Sequence, residues 1–195
     1  RFQESFNILS IGILGGTFDP PHQAHCEISI RAINQYGLEK VIFVPSRNPW
    51  QKTVATSFVD RYNMTNLLID GYSDLEVSGI EQDNKKETFT VDTLSKLGIP
   101  KDELFFILGS DVALNIKTWK NYKKLKDLTN FLIAPRNNLE ELSLIQKFPF
   151  DFQLIDGEEL DISSTKIRDK YKNKESLNSS IPEKVLDYIE KNNIY

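Results

Sequence analysis

The chain has 195 residues, 39% hydrophobic and 27% charged, a balance that suits one folded domain with its own core and argues against extensive disorder. Its formal net charge of −4 is the wrong sign for a surface devoted to nucleic acid, so any phosphate site has to be local and focused. No run approaches about 18 uninterrupted apolar residues and residues 1–7 lack the apolar core of a secretory signal, so no membrane partner is expected.

In chain order, residues 8–14 form a short apolar run closed by Gly15 and Gly16, the pattern of a buried strand followed by a tight turn. A helix is predicted to begin near Pro21 or His22, with Ile28, Ala32 and Ile33 at helical spacing. Residues 41–45 are the second strand, and 46–56 read as a polar, mobile loop. Tyr62, Leu67 and Leu68 mark a second helix, 75–80 a third strand, and 82–87 another mobile loop. Val91, Leu94 and Leu97 mark a third helix, which Gly98 and Pro100 stop. Residues 104–108, 131–135 and 152–155 complete six strands.

Ser163, Ser164 and Thr165 open a further helix, residues 172–180 read as a surface connection, and 182–192 carry the apolar stripe Val185, Leu186 and Ile189 behind Pro182. Lysine and asparagine runs near 84–86, 120–126 and 170–174 read as solvated faces. Strands alternating with helices imply parallel pairing through right-handed crossovers, hence a doubly wound α/β Rossmann-like sheet with helices on both faces. The whole chain, 1–195, is expected to be a single domain with a helical part from about 163 to 195. Ligands of such a sheet sit beyond the carboxyl ends of its strands, where the strand order reverses.

The segment after the first strand, "GILGGTFDPPHQAH", contains both histidines of the chain and is followed at once by its one cysteine, Cys26. One cysteine excludes an internal disulfide and favours a reducing, cytoplasmic compartment; two histidines and one cysteine cannot build a structural zinc cluster. Glycines at a strand-to-helix junction permit positive φ and let backbone N–H groups approach an anion at the positive end of the helix. No Gly-Lys-Ser/Thr follows and G-x-G-x-x-G does not fit, so neither a Walker loop nor a dinucleotide fingerprint is present. His22 and His25, three apart, share one face of a first helical turn and point at one ligand. A lone histidine more often caps or packs, but two beside a glycine pair and Asp19-Pro20-Pro21 favour phosphate binding. A metal would need a third ligand that the local sequence does not offer.

"GGTFDPPHQAH" resembles the G-x-F-D-P-x-H-x-x-H signature of the nucleotidylyltransferase superfamily, and "ISSTKIR", about 140 residues later, resembles its I-S-S-T-x-I-R signature. Between them, "FVPSRNPWQKT", "TFTVDTL", "FFILGSD" and "TWKNYKKL" resemble segments of the nicotinate or nicotinamide mononucleotide adenylyltransferases, and "IPEKVLDYIEKNNIY" resembles their last helix. The bacterial, nicotinate-preferring branch matches best. Gln51 replaces that branch's usual histidine, Gln23-Ala24 its usual x-Gly, and Asn137-Asn138 its usual Pro-Gly after Arg136.

The resemblance implies adenylyl transfer from ATP to nicotinate or nicotinamide mononucleotide, giving the dinucleotide and pyrophosphate in NAD biosynthesis. The attacking phosphate is already anionic, so positioning and charge stabilisation should suffice without a general base. His22 and His25 would donate hydrogen bonds to phosphate oxygens and Arg168 would hold the β and γ oxygens; whether the imidazoles are charged is left open. For ATP the resemblance implies Gly15, Gly16, Thr17 and Phe18, then Ser163, Ser164 and Thr165 at the phosphate tail. Asp111 would face the ribose, Arg136 the adenine face and Ile162 with Ser163 the adenine edge.

For the mononucleotide it implies Asn48, Lys52, Thr88 and Thr90, with Trp119 against the pyridine ring. Mg²⁺ is expected with ATP, held by phosphates and water, and no protein-built metal site is expected. The acid-versus-amide preference and assembly as a homo-oligomer stay open on the sequence. The alternative within this chemistry is an adenylyl- or cytidylyltransferase for another phosphorylated substrate such as phosphopantetheine, against which T-V-D-T-L and Trp119 argue. A nucleotide sensor would not need all of His22, His25 and Arg168, and the chain is short for a tRNA synthetase with an anticodon-binding region.

Overall fold

Each of the six apolar runs forms a strand of one parallel sheet, in the order β3-β2-β1-β4-β5-β6. The computed structural model describes residues 9–50, 54–135, 143–158, 160–177 and 179–195. The strands are β1 (Ile11–Gly16), β2 (Lys40–Pro45), β3 (Leu75–Val77), β4 (Leu104–Gly109), β5 (Asn130–Ala134) and β6 (Gln153–Leu154). The helices are α1 (Gln23–Tyr36), α2 (Phe58–Ile69), α3 (Thr90–Leu97), the single turn α4 (Ser110–Ala113), α5 (Ser164–Lys172) and α6 (Glu183–Lys191). Each crossover into α1 and α3 closes on a glycine in the left-handed region, Gly37 at φ 62° and Gly98 at φ 66°, where a side chain would be strained.

Side chains alternate across the sheet and separate two apolar layers. Leu14, Val41, Phe43, Ile107 and Leu132 pack with α1, α2, α5 and α6, while Ile13, Val44, Phe106, Leu108 and Ile133 pack with α3 and the β4–β5 crossover. Ile167, Leu177, Ile181, Val185 and Ile189 are all buried in the first layer. At about 1.5–3 kcal/mol for each such side chain removed from water, the C-terminal helices belong to the domain core. Among the described residues, no helix is long and apolar enough to cross a membrane.

The sheet corrects the reading of the glycine pair. Gly15 and Gly16 do not follow β1 but end it, paired with Val44 and Pro45 of β2. Toward β4 the pairing reaches only Leu14 opposite Ile107. β1 therefore continues along one neighbour after leaving the other, and the crevice opens at this reversal of strand order.

Three further expectations change. The β4–β5 crossover is α4 followed by 3-10 turns at Ile116–Thr118 and Tyr122–Asp127, and Leu125, inside a run read as solvated, is fully buried. The loops after β2 and before α3 are joined by a bridge between Pro49 and Thr88 and by the Thr88 N–H donating to the Asn48 carbonyl at 3.0 Å. The surface connection before α6 buries Leu177, and its Ser180 carbonyl accepts the first N–H of α1, from Gln23, at 2.9 Å.

Candidate active site

Beyond Gly16 the chain turns at Phe18, whose φ of 52° is in the left-handed region. The positive φ expected of the glycines belongs to this phenylalanine. Such a backbone costs about 1–2 kcal/mol, and burying the ring, 1% exposed between Phe43 and His25, offsets it at about 2–3 kcal/mol. A Cβ at Gly16 would lie 3.1 Å from the Phe18 ring, a tight contact that would press on the ring.

Proline at 20 and 21 withholds two N–H groups, and helix α1 starts at Gln23 with His22 as its extended N-cap, φ −151°. The two imidazoles meet as expected but by another route: His22 lies just outside the helix and His25 in its first turn. Their rings stack with centroids 3.7 Å apart and an interplanar angle of 24°. The His22 N–H donates to Nδ1 of His25 at 3.1 Å, so the proton of neutral His25 sits on Nε2. Burial lowers the pKa of His22 to about 4 and drives that of His25 well below the usual value, so both rings are neutral near pH 7. His22 Nδ1 is buried and has no hydrogen-bond partner among the described residues.

The second signature meets the first here. Arg168, on α5, donates from Nη1 to the Asp19 carbonyl at 2.6 Å and from Nη2 to Thr165 Oγ1 at 3.3 Å; the Ser164 hydroxyl donates to the Pro20 carbonyl at 2.8 Å. Ser163 caps α5 by accepting from the Lys166 N–H at 3.2 Å. The one hydroxyl proton of Ser164 is thus committed to Pro20, which leaves Thr165 and backbone N–H groups at this terminus for a ligand.

Gly15, Gly16, Thr17, Phe18, His22 and His25 line a cavity of about 550 Å³ together with Asp111, Ile162, Ser163, Ser164, Thr165 and Arg168. Asp111 stands at the carboxyl end of β4, and the N-cap of α4 is Gly109. A second, mainly apolar cavity of about 170 Å³ is lined by Thr88, Thr90 and Trp119 with Phe106, Leu94 and Val44. Thr88 Oγ1 and Trp119 Nε1 are buried without a hydrogen-bond partner among the described residues, two donors available to a ligand. Gly15, Gly16 and Thr17 line both cavities.

Asn48 lines neither; its amide donates to the carbonyls of Asn84 and Lys86 at 3.0 and 3.1 Å and ties the two loops together. Lys52 and Arg136 lie outside the described residues.

Several participants escaped the reading of the sequence. Arg61, 1% exposed on α2, donates to the Thr17 carbonyl at 2.6 Å and to those of Thr56 and Arg47 at 3.3 Å each. Its signal was an arginine at helical spacing with the apolar Phe58, Met64 and Leu68, on the buried face of α2. Buried Glu81 accepts from the Thr93 hydroxyl at 2.5 Å and the Arg47 N–H at 3.0 Å on the wall of the smaller cavity, where Trp50 also stands. The Tyr195 hydroxyl donates to Asp19 Oδ1 at 2.6 Å, a contact without any local signal.

The family model described as cytidylyltransferase-like matches residues 13–170. A probable nicotinate-nucleotide adenylyltransferase of Desulfitobacterium hafniense (strain Y51) is 38% identical over 95% of both chains. A probable nicotinate-nucleotide adenylyltransferase of Clostridium botulinum (strain Alaska E43 / Type E3) is 35% identical over 94% of this chain and 96% of its own. The nicotinic acid mononucleotide adenylyltransferase of Plasmodium falciparum, solved in complex with NaAD, superposes with a TM-score of 0.80 at 27% identity, covering 96% of this chain and 97% of that one. The same enzyme complexed with APC superposes with a TM-score of 0.78. Both signatures, the parallel sheet between them and these relatives agree: the chain belongs to the nicotinate-nucleotide adenylyltransferase family of cytidylyltransferase-like proteins.

Proposed function

We infer that this protein transfers the adenylyl group of ATP to nicotinate mononucleotide, releasing pyrophosphate and forming the deamido dinucleotide of NAD synthesis. The observation that carries the reading is the shared wall: two cavities of different character meet at Gly15, Gly16 and Thr17. The larger suits the nucleotide and its phosphates, the smaller an aromatic ring with one polar substituent. The acceptor's phosphate oxygen attacks the α-phosphorus at this wall as the bond between that phosphorus and the β-bridging oxygen breaks.

The attacking oxygen carries its own charge, so two imidazoles held neutral by burial serve as hydrogen-bond donors to phosphate. Nε2–H of His25 supplies one such donor, directed by the His22 N–H behind it. Arg168 keeps one N–H on the Asp19 carbonyl and one on Thr165 Oγ1, and offers its remaining N–H groups to the leaving pyrophosphate. Asp111 suits the ribose hydroxyls, and Ile162 with Ser163 the adenine edge. Trp119 packs on the pyridine ring while Thr88 and Thr90 meet its carboxylate with neutral donors. Glu81 on that wall keeps both oxygens occupied by Thr93 and Arg47.

Mg²⁺ in this reading travels on ATP phosphates and water and lowers their charge. Among the described residues, Asp19 and Asp111 are carboxylates on the larger cavity, oxygen donors of the kind that suits the water shell of such an ion. A reducing, cytoplasmic site of action suits the single, buried Cys26.

The test is pyrophosphate release from MgATP with nicotinate mononucleotide, nicotinamide mononucleotide or phosphopantetheine in parallel. Release is expected with the pyridine nucleotides, fastest with the acid; release with phosphopantetheine alone would overturn the reading.

A further inference from the structure

Asp19 is among the residues that line the cavity assigned to ATP, so its carboxylate stands near a polyphosphate of like charge. It is also an immediate rival for the cation of that site, because Arg168 already holds the backbone carbonyl of the same residue at 2.6 Å. Two guanidiniums compete for this carboxylate, since buried Arg61 also attracts it, and a turn toward Arg168 would draw that residue into an internal ion pair. In the structure this does not occur: Asp19 Oδ1 accepts from the hydroxyl of Tyr195, 176 residues away, at 2.6 Å. The Thr56 side chain bonds the same hydroxyl, and the Tyr195 ring stands edge-on to Tyr171 of α5, centroids 6.3 Å apart.

We propose that Tyr195 is a positioning residue for adenylyl transfer: its hydroxyl holds the Asp19 carboxylate apart from Arg168, so that the guanidinium stays open to the phosphates of ATP. The inference rests on the function assigned above, since it takes the larger cavity as the ATP site. A hydrogen bond to a charged acceptor, lost with its orienting effect, predicts about a tenfold change. Removing the Asp19 charge removes the competition, so the two residues act as one unit.

The experiment measures, with Mg²⁺ present, the Kd of an α,β-methylene ATP analogue by calorimetry and steady-state kinetics for wild type, Tyr195→Phe, Asp19→Asn and the double variant. Tyr195→Phe keeps the ring against Tyr171, and a thermal melt checks that the fold is retained. Expected are an analogue Kd raised about tenfold, kcat/KM for ATP lowered to match, a mononucleotide KM changed less than twofold, and a less than twofold effect of Tyr195→Phe in the Asp19→Asn background. Wild-type affinity in Tyr195→Phe, or an equal loss in both backgrounds, would overturn the proposal. A wild-type protein without transferase activity would refute the function instead, and analogue binding would still decide the role of Tyr195.

Discussion

The imidazoles of His22 and His25 lie face to face 3.7 Å apart, with the backbone N–H of the first hydrogen-bonded to Nδ1 of the second at 3.1 Å. This pairing makes the two residues one device. Stacked rings at that distance repel if both are protonated, and burial already favours the neutral forms. The same backbone contact fixes the remaining proton of His25 on Nε2, as a donor.

Removing that donor should cost what other single donors to a developing phosphate charge cost. His25→Ala is expected to lower kcat/KM about a hundredfold or more, roughly 3 kcal/mol of transition-state stabilisation, with unchanged circular dichroism. Near-wild-type turnover in a folded variant would remove His25 from the mechanism.

Acid should destabilise the protein partly through His22. An imidazole in the unfolded chain takes its proton near 6.5, whereas folded His22 does so only at about 4. Between these values the unfolded chain holds the extra proton, so this contribution is complete above pH 6.5 and is lost as the pH falls toward 4. For a side chain 6% exposed, the shift amounts to an order of 3 kcal/mol. Urea midpoints between pH 7 and 5 should fall less steeply for His22→Asn than for wild type; parallel slopes would refute the assignment.

Arg168 combines a bond to the Asp19 carbonyl with reach into the larger cavity. Arg168→Ala should lower kcat/KM about a hundredfold and weaken binding of an ATP analogue, and Arg168→Lys should recover little, because one ammonium cannot hold the carbonyl and span two phosphate oxygens. Wild-type analogue affinity in Arg168→Ala, measured by calorimetry, would count against this role.

Trp119 borders only the smaller cavity, so its effects should be confined to the acceptor. Trp119→Ala is expected to raise KM for nicotinate mononucleotide about tenfold through lost stacking and burial, with KM for ATP changed less than twofold. Equal effects on both substrates would place the indole in general packing instead.

The six strands, the alternation with helices and both signature segments were legible because short apolar runs and turn residues are local properties, read by a chain that must bury the runs and cap the turns. Gly98 after Leu97 is one such signal: only a residue at ease in the left-handed region ends a helix in that way. The glycine pair shows where this stops. Residue type at 15 and 16 predicted a turn, but neighbouring β2 supplied partners for both, and the turn moved to Phe18, where burial in the core outweighs backbone strain.

The sequence by itself determined the sheet class, the histidine pair and the second signature with Arg168, since each is written within a few consecutive residues. Tertiary structure alone decided that the histidines are neutral, that Arg61 is buried beneath the Thr17 carbonyl, that the Asn48 amide ties two loops, and that Tyr195 reaches Asp19. Each of these depends on desolvation or on a hydrogen bond between groups far apart along the chain, and neither quantity exists until the core has closed around them.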